Sequence, residues 1–273
     1  MRIARVFPTR TSMTPIDRDA YFDVPDLFTP HYKEVHISVT FTWDKKKGEM
    51  LAEAWKKHGD MVYLGGGAIS KDYGLDFEPG MYLKKGVIIT TRGCIFNCVF
   101  CQVREREGEF RELNIKSGHI IQDNNILASS NNHWDCLMNK LSFEKDIEFK
   151  GGLDKRLLTL KRAKDLRGLK IKSLWLACDQ SNGIEGLKKA VRKLQKVGFT
   201  RNHLYCYVLI GDNARENIYR LREVWKMGCI PFAQLFRNKE DSIKYSKSWK
   251  RFQRRWDLPA IIRTRCRSIT QKV

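Results

Sequence analysis

The chain reads as an α/β protein: a six-stranded partial (β/α)6 barrel, TIM-like and open on one side, preceded by a small, reduced Rossmann-like α/β region. Two observations predict this. Short apolar runs recur at residues 87–91, 119–122, 147–150, 174–177, 204–210 and 230–236. The gaps between the later runs carry apolar residues at helical spacing, around 133–141, 157–166, 184–197 and 214–227. Strand-then-helix repetition predicts a parallel sheet with helices outside it. Six such units suit an open barrel better than a closed eightfold one.

Before the barrel, residues 1–85 offer three short strands at 3–7, 35–41 and 61–64. An amphipathic helix over 47–57 separates the last two, with Met50, Leu51, Ala54 and Trp55 on one face. Strand, helix and strand form a small βαβ unit ending in the glycine turn Gly65-Gly66-Gly67. That run lacks the G-x-G-x-x-G spacing of a dinucleotide fingerprint, so it is read as a turn. Residues 68–86, with Gly74, Pro79, Gly80 and Gly86, read as a linker. The barrel then covers 86–236, and a basic, aromatic-containing extension covers 237–273.

Composition narrows the class. With 273 residues and 42% hydrophobic content, the chain can bury one large core and one small one. No apolar run approaches the roughly 20 residues of a membrane span, and the first residues do not read as a secretory signal. Eight cysteines without such a signal point to a reducing cytoplasm and to metal chemistry. The net charge of +20 is uneven: residues 237–273 alone carry 12 Lys/Arg against 3 Asp/Glu. Such clusters attract phosphate backbones. The interleaved Tyr245, Trp249, Phe252 and Trp256 would offer stacking surfaces for bases of RNA or DNA, or would dock on the barrel.

The most informative segment follows the first barrel strand. In Thr91-Arg-Gly-Cys94-Ile-Phe-Asn-Cys98-Val-Phe-Cys101, three cysteines are spaced Cys-x3-Cys-x2-Cys. A structural zinc site would need a fourth nearby ligand, and the next candidates are only His119, His133 and Cys136. Three thiolates on a cubane iron–sulfur cluster would leave one iron open to a substrate or cofactor. In parallel α/β folds, chemistry gathers at the strands' C-terminal ends, where this loop lies.

The spacing, with Phe100 just before the last cysteine, resembles the signature of the radical S-adenosylmethionine (radical SAM) enzymes, and the motif order over 87–236 is similar to theirs. The branch it resembles most carries a cobalamin-binding-like N-terminal domain, of which 34–67 would be a shortened version. The Asp-x-His-x-x-Gly cobalamin signature is absent from the sequence, so cobalamin is not expected. The resemblance implies a [4Fe-4S] cluster on Cys94, Cys98 and Cys101, and SAM as cofactor. It implies Asp123 as acceptor of the SAM amino group, supported by Gln122 and Asn124, with Gly151-Gly152-Leu153-Asp154 as the rival position. By the same likeness Asp179 meets the SAM ribose, Leu209, Ile210 and Gly211 line the adenine, and Phe100 packs beside it. The family's Pro-Gly-Glu continuation is replaced by Asp212-Asn213-Ala214-Arg215-Glu216.

The activity so implied is reductive cleavage of SAM to a 5′-deoxyadenosyl radical that modifies a nucleic-acid base or nucleotide. A flavodoxin or ferredoxin-type reductant is the expected partner. Two alternatives remain open: the same chemistry on a small metabolite or peptide, and a non-catalytic iron–sulfur protein that binds nucleic acid. Cys178, just past the fourth strand, reads either as a catalytic thiol or as a buried core residue. Lys155 and Arg156 would meet a substrate phosphate or serve as helix-face charges. His119 and His133 read as structural.

Overall fold

The computed structural model describes residues 2–69, 77–211, 213–238, 242–262 and 264. Two parallel sheets, each with its own apolar core, organise them.

The first sheet contains β1 (Ile3–Val6), β2 (Ala20–Tyr21), β3 (Tyr32–Ser38) and β4 (Gly59–Gly65), in the order β2-β1-β3-β4. Helix α1 (Lys45–Trp55) forms the crossover between β3 and β4, which pair in parallel as the βαβ reading expects. The buried stripe differs from the expected one. Gly48, Leu51 and Trp55 face the sheet, whereas Met50 is 49% exposed. A Cβ on Gly48 would stand 2.5 Å from Val39 Cγ2. The bare glycine therefore lets the helix approach there and rotates Met50 outward. The linker packs back on this sheet's other face: the Phe77 ring stacks on buried His36 at 5.2 Å, and Tyr82 meets the same imidazole. Residues 70–76 of the linker, Gly74 among them, lie outside the described residues.

The second sheet contains β5 (Val87–Ile88), β8 (Ile120–Ile121), β9 (Ile147–Phe149), β10 (Ile171–Ala177), β11 (Leu204–Ile210) and β12 (Ile230–Leu235). They are all parallel and lie side by side in chain order. Helices α3 (Asn131–Leu141), α4 (Leu160–Arg167), α5 (Ile184–Lys196) and α6 (Ala214–Lys226) connect them. Ser130, Thr159 and Asn213 start α3, α4 and α6 by accepting a backbone N–H three residues on, which satisfies a donor that the first helical turn leaves free. Strand β11 shows what the helices cover. Leu204, Cys206, Val208 and Ile210 are buried on the helix side, while Tyr205, Tyr207 and Leu209 alternate with them and stay half-buried. On that second face Trp175 stacks on Tyr205 and Tyr207 at 4.7 and 4.5 Å.

The first strand of this sheet is shorter than the 87–91 expected. After Ile88 the backbone leaves the ladder, because the amides of Thr90 and Thr91 donate to the Asp123 carboxylate instead of to a neighbouring strand. Thr91–Arg92 (β6) then pairs antiparallel with Arg111–Glu112 (β7), a ladder absent from the sequence reading. It closes an excursion that contains all three cysteines and the short helix α2 (Val103–Glu107).

The C-terminal extension forms a helix, α7 (Lys247–Asp257), along the outer edge of β12. Phe252 and Trp256 pack against the core of the second sheet, and Gln253 Nε2 donates to the Ala233 carbonyl at 3.3 Å. An exposed edge strand invites pairing with other chains, and α7 covers this one. Of the two readings of the tail's rings, docking describes Phe252 and Trp256, which pack half-buried against the core. Cys266 lies outside the described residues.

Asp257 ends this docked face. Burial pushes its carboxyl up to about 6, and its Oδ1 has no hydrogen-bond partner among the described residues. A folded-state value above the unfolded one means the folded chain binds more protons, so stability falls as pH rises from about 4 to about 6 and stays lowered above that. Asp257→Asn is expected to flatten this dependence and to stabilise the chain by roughly 1 kcal/mol at pH 7, discounted for partial exposure. Thermal melts at pH 4.5 and 7 check it; equal pH dependence in both proteins would disprove it.

Among the described residues no helix is long and apolar enough to cross a membrane.

Candidate cluster site at the strand ends

The cysteine loop is anchored at its root by three consecutive residues that follow β8, Asp123, Asn124 and Asn125. Asp123, 2% exposed, accepts Thr90 N–H at 2.5 Å and Thr91 N–H at 2.9 Å on one oxygen, and the Thr90 hydroxyl at 2.6 Å on the other. Burial pushes its carboxyl up against these hydrogen bonds, which favour the charged form. Asn124 Oδ1 accepts Gly93 N–H at 3.2 Å and the Arg92 guanidinium at 3.3 Å. Asn125 directs its amide N–H at Cys94 Sγ, 3.6 Å away. Gln122 Oε1 and Asn125 Oδ1 are buried without a hydrogen-bond partner among the described residues. The loop root thus takes three of the roughly four acceptor sites of the Asp123 carboxylate, and the neighbouring amides keep free acceptor capacity.

The rival position turns out to touch the favoured one. Gly151, just after β9, packs so tightly on the Asp123 backbone that a Cβ would stand 1.8 Å from the Asp123 carbonyl oxygen. Beyond it Asp154 forms a salt bridge with Arg156 at 2.6 Å and raises its pKa. The Arg156 guanidinium covers the Phe96 ring at 3.4 Å and points Nη1 and Nη2 at Cys98 Sγ from 3.9 and 3.8 Å. So Arg156 is neither a free phosphate ligand nor a plain helix-face charge; it clamps the cysteine loop. Lys155 donates to the Ala177 carbonyl at 3.3 Å.

The thiols are free and share one loop, with Cys94 and Cys98 half-buried and Cys101 exposed. The backbone turns between the last two, where Cys101 N–H donates to Cys98 carbonyl at 2.9 Å. Cys94 Sγ also accepts Phe96 N–H at 3.4 Å. Although Cys101 is exposed as a residue, nearby protein partly desolvates its thiol and pushes its pKa up, and Cys98, Cys94 and Asp179 add to the rise as neighbouring negative groups. That coupling brings Asp179, at the end of β10, to the cysteine side. Burial raises the Asp179 carboxyl, opposed by Lys155, Arg220 and the Leu209 backbone. Phe100 is half-buried on the loop.

Residues that the sequence reading did not single out hold the strand-end loops together. Arg220, 5% exposed on α6, donates to the Cys178 and Asp179 carbonyls at 3.0 and 2.7 Å. It also bonds Asn217 Oδ1 at 2.6 Å, and Asn217 Nδ2 reaches the Gly211 carbonyl at 3.0 Å. No local motif announces such a pair; only its burial on a helix otherwise rich in exposed charge does. Leu209 faces the half-open side of the sheet and Gly211 borders open space, whereas Ile210 is fully buried on the helix side. Cys178 is fully buried, and burial pushes its thiol up, which keeps it protonated.

The first sheet reaches the site through α2. Arg106 donates to the Thr40 and Gly67 carbonyls at 2.8 and 3.3 Å. Gln102, one residue past Cys101, donates to the Arg237 carbonyl at 3.4 Å, and Arg237 covers the Trp43 ring at 4.1 Å.

Among the described residues no three His, Cys, Asp or Glu side chains converge as ligands of one metal ion. A cubane sets a different test, because each thiolate binds its own iron and the sulfurs need not meet at a point. The donor set fits such a group: three free thiols on one loop, with N–H donors aimed at two of the sulfurs, as outer-shell partners of cluster ligands are. A scan against protein-family models and a search of the curated proteins find no match to this chain. Fold and site define an α/β protein with a six-stranded parallel sheet and a three-cysteine loop at its strand ends.

Proposed function

We propose that this chain is a radical SAM enzyme whose six strands curl into a partial barrel. The observation that carries the reading is the placement of Cys94, Cys98 and Cys101 on one excursion, closed at its base by β6 and β7, directly after the first strand of a sheet wound in chain order. Sequential parallel strands with helices on one face are the layout of a barrel sector, and its ligands belong at the C-terminal ends.

Cys94, Cys98 and Cys101 would hold a [4Fe-4S] cluster and leave one iron for SAM. When bound, the pair supplies one-electron cleavage of the sulfonium to a 5′-deoxyadenosyl radical, with the electron drawn from a flavodoxin or ferredoxin-type partner. The chain's own residues position and shield. Asp123 and Asn124 fix the loop root, while Asn125 and Arg156 donate to cysteine sulfurs and favour the reduced, more negative state. The unsatisfied oxygens of Gln122 and Asn125 suit the SAM amino group, with Asp179 and Leu209 beside the nucleoside and Gly211 leaving room for it. A nucleic-acid base or nucleotide is the group attacked, in keeping with the net charge of +20. Free thiols throughout the described residues suit a reducing cytoplasm.

Anaerobic reconstitution with iron and sulfide, followed by dithionite and SAM, tests the reading. The expected result is 5′-deoxyadenosine from the intact chain and none from Cys98→Ala. A cluster that never cleaves SAM would reassign the chain to a binding role, and failure to form a cluster would overturn the proposal.

A further inference from the structure

We infer that helix α7 is a nucleic-acid backbone site, formed by the unneutralised side chains of Lys247, Lys250, Arg251 and Arg254. The inference rests on the reading above only for the identity of the substrate; the site stands on its own geometry. The helix is two-faced. Trp249, Phe252, Gln253, Trp256 and Asp257 are half-buried toward the barrel, whereas Lys247, Lys250, Arg251, Arg254 and Arg255 are exposed. The aliphatic stems of four of those side chains line a shallow groove of about 220 Å³, which leaves their charged ends outward. Among the described residues no carboxylate pairs with any of the four, although Lys/Glu and Lys/Asp pairs recur elsewhere on the chain's helices. An unpaired cationic stripe at helical spacing repels itself, and a row of phosphates relieves that repulsion while releasing counterions.

The orientation of α7 argues for a strand rather than a lone anion. Tyr245 Oη donates to the Phe236 carbonyl at 2.9 Å, Gln253 meets Ala233, and Ile262 packs with Ile230 and Trp225. The chain after β12 therefore doubles back, so that Lys247 stands at the cysteine-loop end and Arg254 farther down the outside. The stripe from 247 to 254 rises about 10 Å, enough to follow successive phosphates toward the strand ends. Phe252 and Trp256 pack on the core, so the cationic stripe itself recognises phosphate and carries no base preference.

Fluorescence anisotropy with a labelled single-stranded RNA of about 20 nucleotides, titrated at several KCl concentrations, tests the site. The intact chain is expected to bind with an affinity that falls steeply with salt, at a similar level for two unrelated sequences. K247Q/K250Q/R251Q/R254Q is expected to lower the logarithmic salt slope by about 3 and to bind at least about tenfold more weakly at low salt. A circular-dichroism melt confirms that the variant keeps its fold; single charge-removing variants at Lys250 and Arg254 serve if the quadruple one does not. Binding that the variants leave unchanged would overturn the inference. So would capture by phosphatidylcholine vesicles containing phosphatidylserine without RNA binding, because the stripe would then serve a membrane surface. The assay needs neither cluster nor SAM. RNA binding without cluster formation would spare this site and sink the proposed enzyme, and the reverse pattern would do the opposite.

Discussion

Asp123→Ala is expected to destabilise the chain by about 3–5 kcal/mol and to release the root of the cysteine loop. The carboxylate receives three donors, two of them backbone amides that have left the strand ladder to reach it. Truncation strands those donors in a site that is 2% exposed, and each buried donor left unpaired costs about 1–3 kcal/mol. Asp123→Asn separates this role from a ligand-binding one. Its amide oxygen can keep both backbone bonds and its amide group can face the Thr90 hydroxyl, so most of the stability should return. A thermal melt reads both variants, with the Ala variant roughly 10 °C lower. An Ala variant that melts with the intact chain would show that the loop root does not depend on Asp123.

Gly151→Ala should be nearly as damaging, for a different reason. The added carbon would stand 1.8 Å from the Asp123 carbonyl oxygen and 2.7 Å from its backbone nitrogen and carbonyl carbon, and none of these is the end of a flexible side chain. Either β9's loop or β8's loop must move, at a cost of about 3 kcal/mol or more. Gly152→Ala is the informative contrast. Gly152 has φ +102 with open space around it, so the cost there is backbone strain alone, about 1–2 kcal/mol. Urea denaturation of the two variants should rank them in that order. The reverse order would mean that the loops after β8 and β9 do not press together as described.

The two variants together define what holds the site. Asp123 ties the cysteine loop to the second strand's end, and Gly151 lets the third strand's loop close on Asp123. Arg156 then reaches back from that loop to Phe96 and Cys98. Three successive loops at the strand ends are thus mutually braced.

Much of this was legible along the chain. The six strand windows and the four connecting helices follow from apolar periodicity, because a residue's side of a strand or helix is fixed by its neighbours two, three or four positions away. The three cysteines sit within eight residues, so their common loop needed no fold to be read. What the sequence could not decide is long-range. Asp123 looks like any polar residue after a strand, and only the approach of Thr90 and Thr91, more than thirty positions away, turns its carboxylate to the loop root. Arg156 is 58 residues from Cys98 and becomes its neighbour only when β5 and β9 enter one sheet. The C-terminal extension shows the division plainly. Composition determined that it is basic and aromatic. Tertiary packing decided that the rings turn inward and the cations outward, because the bare edge of β12 offered apolar surface to the one stripe and water remained for the other.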